Sequence, residues 1–217
     1  MRHPTTLVLL AVLLVLAVVV VVQGAGPALP GNDVGYEPDQ PILFSHQLHA
    51  GELAIDCMYC HVGAERSRHA GIPSEQICMN CHRFVAAPLA DVRAEDAAAA
   101  KEGRPARPVL SPEIGKLYRA LGLGADGKPA PGAVPEPVRW VKVHNLPDFV
   151  FFDHRSHVGA GFACATCHGP VDAMARIRQF SDLSMGWCVN CHRSSNQQGL
   201  PDGRPAAAST DCSTCHY

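Results

Sequence analysis

The chain has 217 residues, a formal net charge of −2 and a pI near 6.6. It carries no basic run or stripe, which argues against nucleic acid as a partner. Ten cysteines stand beside twelve histidines while aromatics make up only 6% of residues; this composition points away from a plain disulfide scaffold and towards metal or haem, whose apolar bulk would replace missing core volume.

In chain order, the first feature is an unbroken apolar run, Leu7 to Val22, preceded by Arg2 and followed by no Lys or Arg until Arg66. Its length is near the short end of a bilayer span. The charge bias places residues 1–4 in the cytoplasm and the bulk of the chain on the periplasmic side. Residues 1–25 therefore read as an N-terminal transmembrane anchor or, alternatively, as a cleaved signal peptide, and residues 26–217 as one exported domain.

That domain is organised by five C-x-x-C-H units that consume every cysteine: Cys57/Cys60/His61, Cys78/Cys81/His82, Cys164/Cys167/His168, Cys188/Cys191/His192 and Cys212/Cys215/His216. On a helical turn, positions i, i+3 and i+4 share a face. Two thiols so placed can form thioethers to haem vinyl groups, and the adjacent histidine reaches the iron from the same side. Zinc sites and disulfides give no reason for a histidine directly after the second cysteine. The expectation is five covalently bound haem c groups.

Distal ligands come from a second pattern. F-x-H-x-x-H occurs as Phe44-Ser45-His46-Gln47-Leu48-His49 and again as Phe152-Asp153-His154-Arg155-Ser156-His157, each shortly before a C-x-x-C-H unit. The whole arrangement repeats from Phe44 to Arg83 and from Phe152 to Arg193, an internal duplication. The domain divides into a two-haem unit (42–88), an insertion (89–139), a second two-haem unit (140–197) and a fifth-haem segment (198–217). His46, His49, His154 and His157 supply four irons. For the fifth, His144 is favoured, with His69, Met174 and Met185 as competitors. Arg83 and Arg193 follow their motifs and are either propionate partners or solvated surface residues; Trp140 and Trp187 read as haem-packing aromatics.

The insertion is rich in Ala, Pro and Gly. A helix is expected over Arg93–Glu102 and another from Ser111 (N-cap) and Pro112 (N1) to near Gly122, followed by an extended linker from Gly124 to Pro137. It is either a docking surface or a tolerated surface loop. The fold class expected is mainly α and irregular, with short helices around packed haems and little or no sheet.

The paired motifs resemble the class III (c3/c7-like) multihaem cytochromes. The strings QPILFSHQLHAGELAIDCMYCH, AGIPSEQICMNCHR, VKVHNLPDFVFFDHRSHVG and LSMGWCVNCHR closely resemble the pentahaem cytochrome subunits of alternative complex III, from about Tyr36 to Tyr217. The class III resemblance implies that His46 serves the haem on Cys57 and Cys60, that His154 serves the haem on Cys164 and Cys167, and that His49 and His157 serve other haems. The second resemblance implies electron transfer inside a quinol-oxidising respiratory complex towards a periplasmic cytochrome or oxidase. Implied partners are an iron–sulfur/molybdopterin-like subunit, multi-span membrane subunits and a monohaem cytochrome c. The chain would then be an electron-transfer subunit with no catalytic residue of its own. Two rivals are a stand-alone quinol dehydrogenase of the NapC/NrfH type and, less favoured, a multihaem reductase, which needs an iron with an open position.

Overall fold

The computed structural model describes residues 4–22 and 33–216. The apolar run forms helix α1 (Pro4–Val22). Its described side chains, Thr6 to Val19, are all exposed. Among the described residues no helix is long and apolar enough to cross a membrane. Residues 1–3 and 23–32, which flank the expected anchor, lie outside the described residues, as does Tyr217.

Residues 33–216 form a succession of short helices. A π-helical turn (Gln47–Glu52) precedes α2 (Cys57–Cys60) and α3 (Glu75–His82). The insertion forms α4 (Leu89–Glu102) and α5 (Pro112–Ala120). The second unit holds α6 (His154–Gly159), α7 (Ala165–His168), a 3-10 turn (Val171–Ala173) and α8 (Met185–Gln198), and α9 (Cys212–Cys215) ends the described chain. Among the described residues no sheet forms; the only bridges are isolated pairs, Leu123 with Pro129 and Val150 with His216.

The helices start where their caps dictate. Ser111 Oγ accepts from Ile114 N with Pro112 in the first turn, and Ser184 Oγ accepts from Trp187 N to open α8, which satisfies amides that have no partner within the helix. α4 begins one turn earlier than expected, at Leu89, because the Pro88 carbonyl accepts from Asp91 N and Val92 N. It ends at Gly103, whose φ of 64° is the left-handed cap that glycine adopts without strain.

The two motif units pack reciprocally. The turn bearing His46 and His49 lies on the 3-10 turn of the second unit, with Gln47 N donating to Met174 O at 2.9 Å. A Cβ on Gly51 would come within 2.3 Å of Asp172 O, so only glycine permits that approach. In return, α6 lies on the loop after α2: His154 N donates to Arg68 O and Arg155 N to Ser67 O. A strap from Gly35 to Leu43 crosses the second unit. It pairs with Gln179 through Gly35 N and Tyr36 O, and with Val141 through the Gln40 amide.

The insertion is not a loose loop. Leu117 and Tyr118 of α5 are buried, Tyr118 Oη donates to His82 O at 2.7 Å, and Val138 N donates to Glu75 Oε1 at 2.7 Å. It is clamped to α3 and hence to the second C-x-x-C-H unit. The apolar core is otherwise thin, made of Ala64, Ala87, Ala99, Leu117, Tyr118, Val143 and Met174. Phe84, Val85, Leu89, Phe149, Phe151 and Phe180, all near the motifs, are exposed.

Candidate haem-binding sites

Each C-x-x-C-H unit occupies a single helical turn or the heart of a longer helix. Asp56 caps α2 by accepting from Met58 N at 2.7 Å. All ten cysteines are free thiols, and each pair stands at i and i+3.

The histidines face one another in pairs. His154 and His168 have ring centroids 6.3 Å apart, 4° from parallel. His157 and His192 are 6.1 Å apart, and so are His49 and His82. His46 lies close enough to His61 for that ring to help hold it below its ordinary value, after burial. Two imidazoles on opposite sides of one ion, each with a metal–nitrogen bond of ~2 Å and roughly 1 Å from nitrogen to ring centre, have centroids about 6 Å apart. The three measured separations match that spacing. Among the described residues no cluster of three or more His, Cys, Asp or Glu converges as a zinc site would need; the arrangement is one of facing pairs.

The phenylalanine of F-x-H-x-x-H orients both rings. Phe44 stacks on His49 at 4.3 Å and meets His46 edge-on at 4.9 Å and 87°. Phe152 stacks on His157 at 4.5 Å and meets His154 edge-on at 4.9 Å and 87°. One ring therefore sets two imidazole planes. The sequence shows the phenylalanine but gives no sign of this role until the side chains are placed.

A further layer fixes the tautomers. Nδ1 of His49 lies 2.8 Å from Ser45 O, that of His61 2.7 Å from Gly71 O, and that of His82 2.9 Å from Val85 O. Nδ1 of His154 lies 2.9 Å from Arg68 O, that of His157 2.8 Å from Asp153 O, and that of His192 2.6 Å from Ser209 O. A carbonyl can only accept, so Nδ1 carries the proton in each case and Nε2 keeps its lone pair for iron. Ser45 and Asp153 stand four residues before the histidines they serve, so those two contacts follow from helical spacing. Burial, with neighbouring histidines adding to it, pushes His46 and His168 down to about 4, which holds both rings neutral. Facing imidazoles, locked tautomers, paired thiols and exposed apolar side chains alongside all fit covalent haem.

His144, expected as the fifth distal ligand, lies beside His168. Its Nε2 lies 3.3 Å from Nδ1 of His168, with the rings edge-on at 4.5 Å and 83°. The ring facing His216 is that of Phe149, at 5.8 Å and 31°. Of the competitors, Met174 is buried in the core, while Met185 and His69 are exposed. Arg83 donates through Nε to Met79 O and lies over the Phe84 ring, 5.3 Å from its centroid. Arg193 is exposed on α8, and Trp140 and Trp187 are half-buried.

The thiols reveal how the units adjoin. Burial and then a neighbouring motif's thiol push up the cysteines in a consecutive series. Cys60 feels Cys81, Cys78 feels Cys60, and Cys57 feels Cys164. Cys167 feels Cys191 and Cys188, and Cys188 feels Cys215. The units thus adjoin in the spatial order second, first, third, fourth, fifth.

Repeated thiol pairs with adjacent histidines, faced by other histidines across the width of a metal ion, define a multihaem cytochrome c. Residues 150–217 match the family described as cytochrome c7 and related cytochrome c. The chain is distantly related to the multihaem cytochrome c subunit of menaquinone reductase from Nitratidesulfovibrio vulgaris (strain Hildenborough). It is 26% identical to that protein over a stretch covering 83% of this chain and 78% of the relative.

Proposed function

We propose that this chain is a membrane-anchored pentahaem electron-transfer subunit of a quinol-oxidising respiratory complex of the alternative complex III kind. The observation that carries the reading is the consecutive adjacency of the five C-x-x-C-H units, which lines up five redox groups in one file. The relative's name, a menaquinone reductase subunit, supports a place in a quinone-reactive complex with other subunits. Those partners are an iron–sulfur/molybdopterin-like protein, multi-span membrane proteins and a monohaem cytochrome c. α1, free of charged residues and exposed along its described length, supports an anchor in the cytoplasmic membrane with the haem domain on the periplasmic side.

Bound haem supplies a one-electron iron couple. The residues supply its setting. His61, His82, His168, His192 and His216 hold the proximal side, and His46, His49, His154 and His157 cap four irons from the other. At those four irons, a histidine on each side would leave no position open to substrate and would favour outer-sphere transfer. The carbonyls at Nδ1 of His49, His61, His82, His154, His157 and His192 hold those rings in one tautomer and one orientation.

The test is purification of the native protein in mild detergent, with haem counted against polypeptide. Five thioether-bound haems in a large complex whose haems are reduced by a quinol support the reading. An isolated cytochrome that oxidises quinol by itself would replace it with a stand-alone quinol dehydrogenase. A stoichiometric high-spin haem with nitrite turnover would replace it with a reductase. The relative's printed activity favours a second reading of direction, in which electrons enter from a periplasmic donor and leave to menaquinone. Haem reduction by that donor but not by quinol would establish it.

A further inference from the structure

Six of the facing histidines give their Nδ1 proton to a backbone carbonyl; Nδ1 of His46 is buried without a partner, and Nδ1 of His168 has a partner of another kind. It meets another imidazole nitrogen, Nε2 of His144, at 3.3 Å. For Nε2 of His168 to keep the lone pair that iron requires, its Nδ1 must carry the proton and donate it. His144 Nε2 then accepts, and the proton of His144 sits on its own Nδ1. In this tautomer neither nitrogen of His144 is open to a metal. The lone pair of Nε2 is engaged, and Nδ1 is protonated.

We infer that His144 is not an iron ligand but the positioning residue for His168, accepting its Nδ1 proton and thereby setting the plane and donor strength of that axial ligand. This rests on the haem reading above. The consequence is specific to one haem. An imidazole nitrogen is a stronger acceptor than a peptide carbonyl, so it draws the Nδ1 proton further and makes His168 a more electron-rich ligand. That favours the oxidised iron and lowers the potential of the haem on Cys164 and Cys167 relative to a carbonyl-bonded equivalent. This haem belongs to the third unit, at the contact between the two reciprocal units, where His154 Nδ1 meets Arg68 O. A depressed potential there gives a step between the two halves of the wire that no other pair of neighbours shares.

The experiment uses the full-length holo-cytochrome, matured with its haems, as wild type, His144→Ala and His144→Gln. Potentials are read by spectroelectrochemical titration and spin state by EPR integrated against haem. In His144→Ala, the number of low-spin haems stays that of the wild type and one component of the titration moves upward. In His144→Gln, whose amide oxygen accepts from Nδ1, that component returns most of the way. A new stoichiometric high-spin signal in either variant would mean that His144 binds iron, and the inference falls. An unchanged titration in His144→Ala sinks it equally. If His144→Ala fails to mature, His144→Gln decides alone: wild-type spin state with a modest upward shift sustains the inference, and a high-spin haem removes it. Failure of the underlying haem reading would show separately, as wild-type protein without covalent haem.

Discussion

His154 and His168 lie 6.3 Å apart and 4° from parallel, one at the start of α6 and the other at the end of α7. The short loop between these helices folds back so that a distal and a proximal histidine from neighbouring segments face each other across the width of one ion. His154 is held from behind by Arg68 O of the first unit, so the geometry of a site in one unit depends on a loop of the other.

His154→Ala is therefore expected to leave covalent attachment through Cys164 and Cys167 intact while opening one iron. One haem's worth of high-spin signal should appear in the EPR spectrum, and that haem alone should bind carbon monoxide when reduced. A fully low-spin spectrum would show that another residue caps this iron.

The paired motifs were legible because their chemistry has a local period: thiols at i and i+3, and histidines at i and i+3. The insertion's second helix was legible for the same reason, since Ser111 and Pro112 mark its start. Contacts without a local period were not. His144 meets His168 across 24 residues of chain, and no spacing rule links them. The clamp of α5 on α3 through Tyr118 and His82 O spans 36 residues, which left docking surface and free loop indistinguishable. The reciprocal packing of the two units depends on Gly51 approaching Asp172 O, a fact of tertiary shape alone. The spatial order of the five units follows from that packing and differs from their order in the chain.

Gly169 directly follows His168 with φ of 69° and ψ of −164°, a region nearly reserved for glycine. A Cβ there would come within 2.3 Å of the Phe180 ring. Gly169→Ala should cost about 2–4 kcal/mol from backbone strain and overpacking together. For a chain of this size that lowers Tm by roughly 2–4 °C per kcal/mol. The measurement is thermal unfolding of the holo-protein, with Gly203→Ala as a comparison: that glycine also has positive φ, but its Cβ would meet nothing within 4 Å, so it should show the strain without the clash.

Glu113 joins the strap to the insertion. Its carboxylate takes hydrogen bonds from Lys116 Nζ and from Leu43 N at 2.7 Å, and these, in that order, hold it below its ordinary value of 4.5. A depressed folded value means the stabilisation is fully present above about 4.5 and is lost as the pH falls through the lower folded value. Protease sensitivity of the segment 33–44 should rise in that acid window. Glu113→Gln should remove most of the dependence, at a cost of ~1 kcal/mol at neutral pH. Equal acid sensitivity in both proteins would place the transition elsewhere.

The file of units makes the third one the junction. Burial and then the Cys164 thiol push up Cys57 of the first unit, burial and then Cys191 and Cys188 push up Cys167, and no thiol of the first two units acts on one of the last two among these interactions. Removing both thioethers, Cys164→Ala with Cys167→Ala, should lower the covalent haem count from five to four and leave two separated pairs. Stopped-flow reduction from either end should then split into a fast phase for the near pair and a much slower phase for the far pair. Cys167→Ala alone retains one thioether, the iron and its axial histidines, so its reduction should remain a single phase. If the double variant also reduces in one phase, electrons pass by a route that does not need the third unit, and the linear order is wrong.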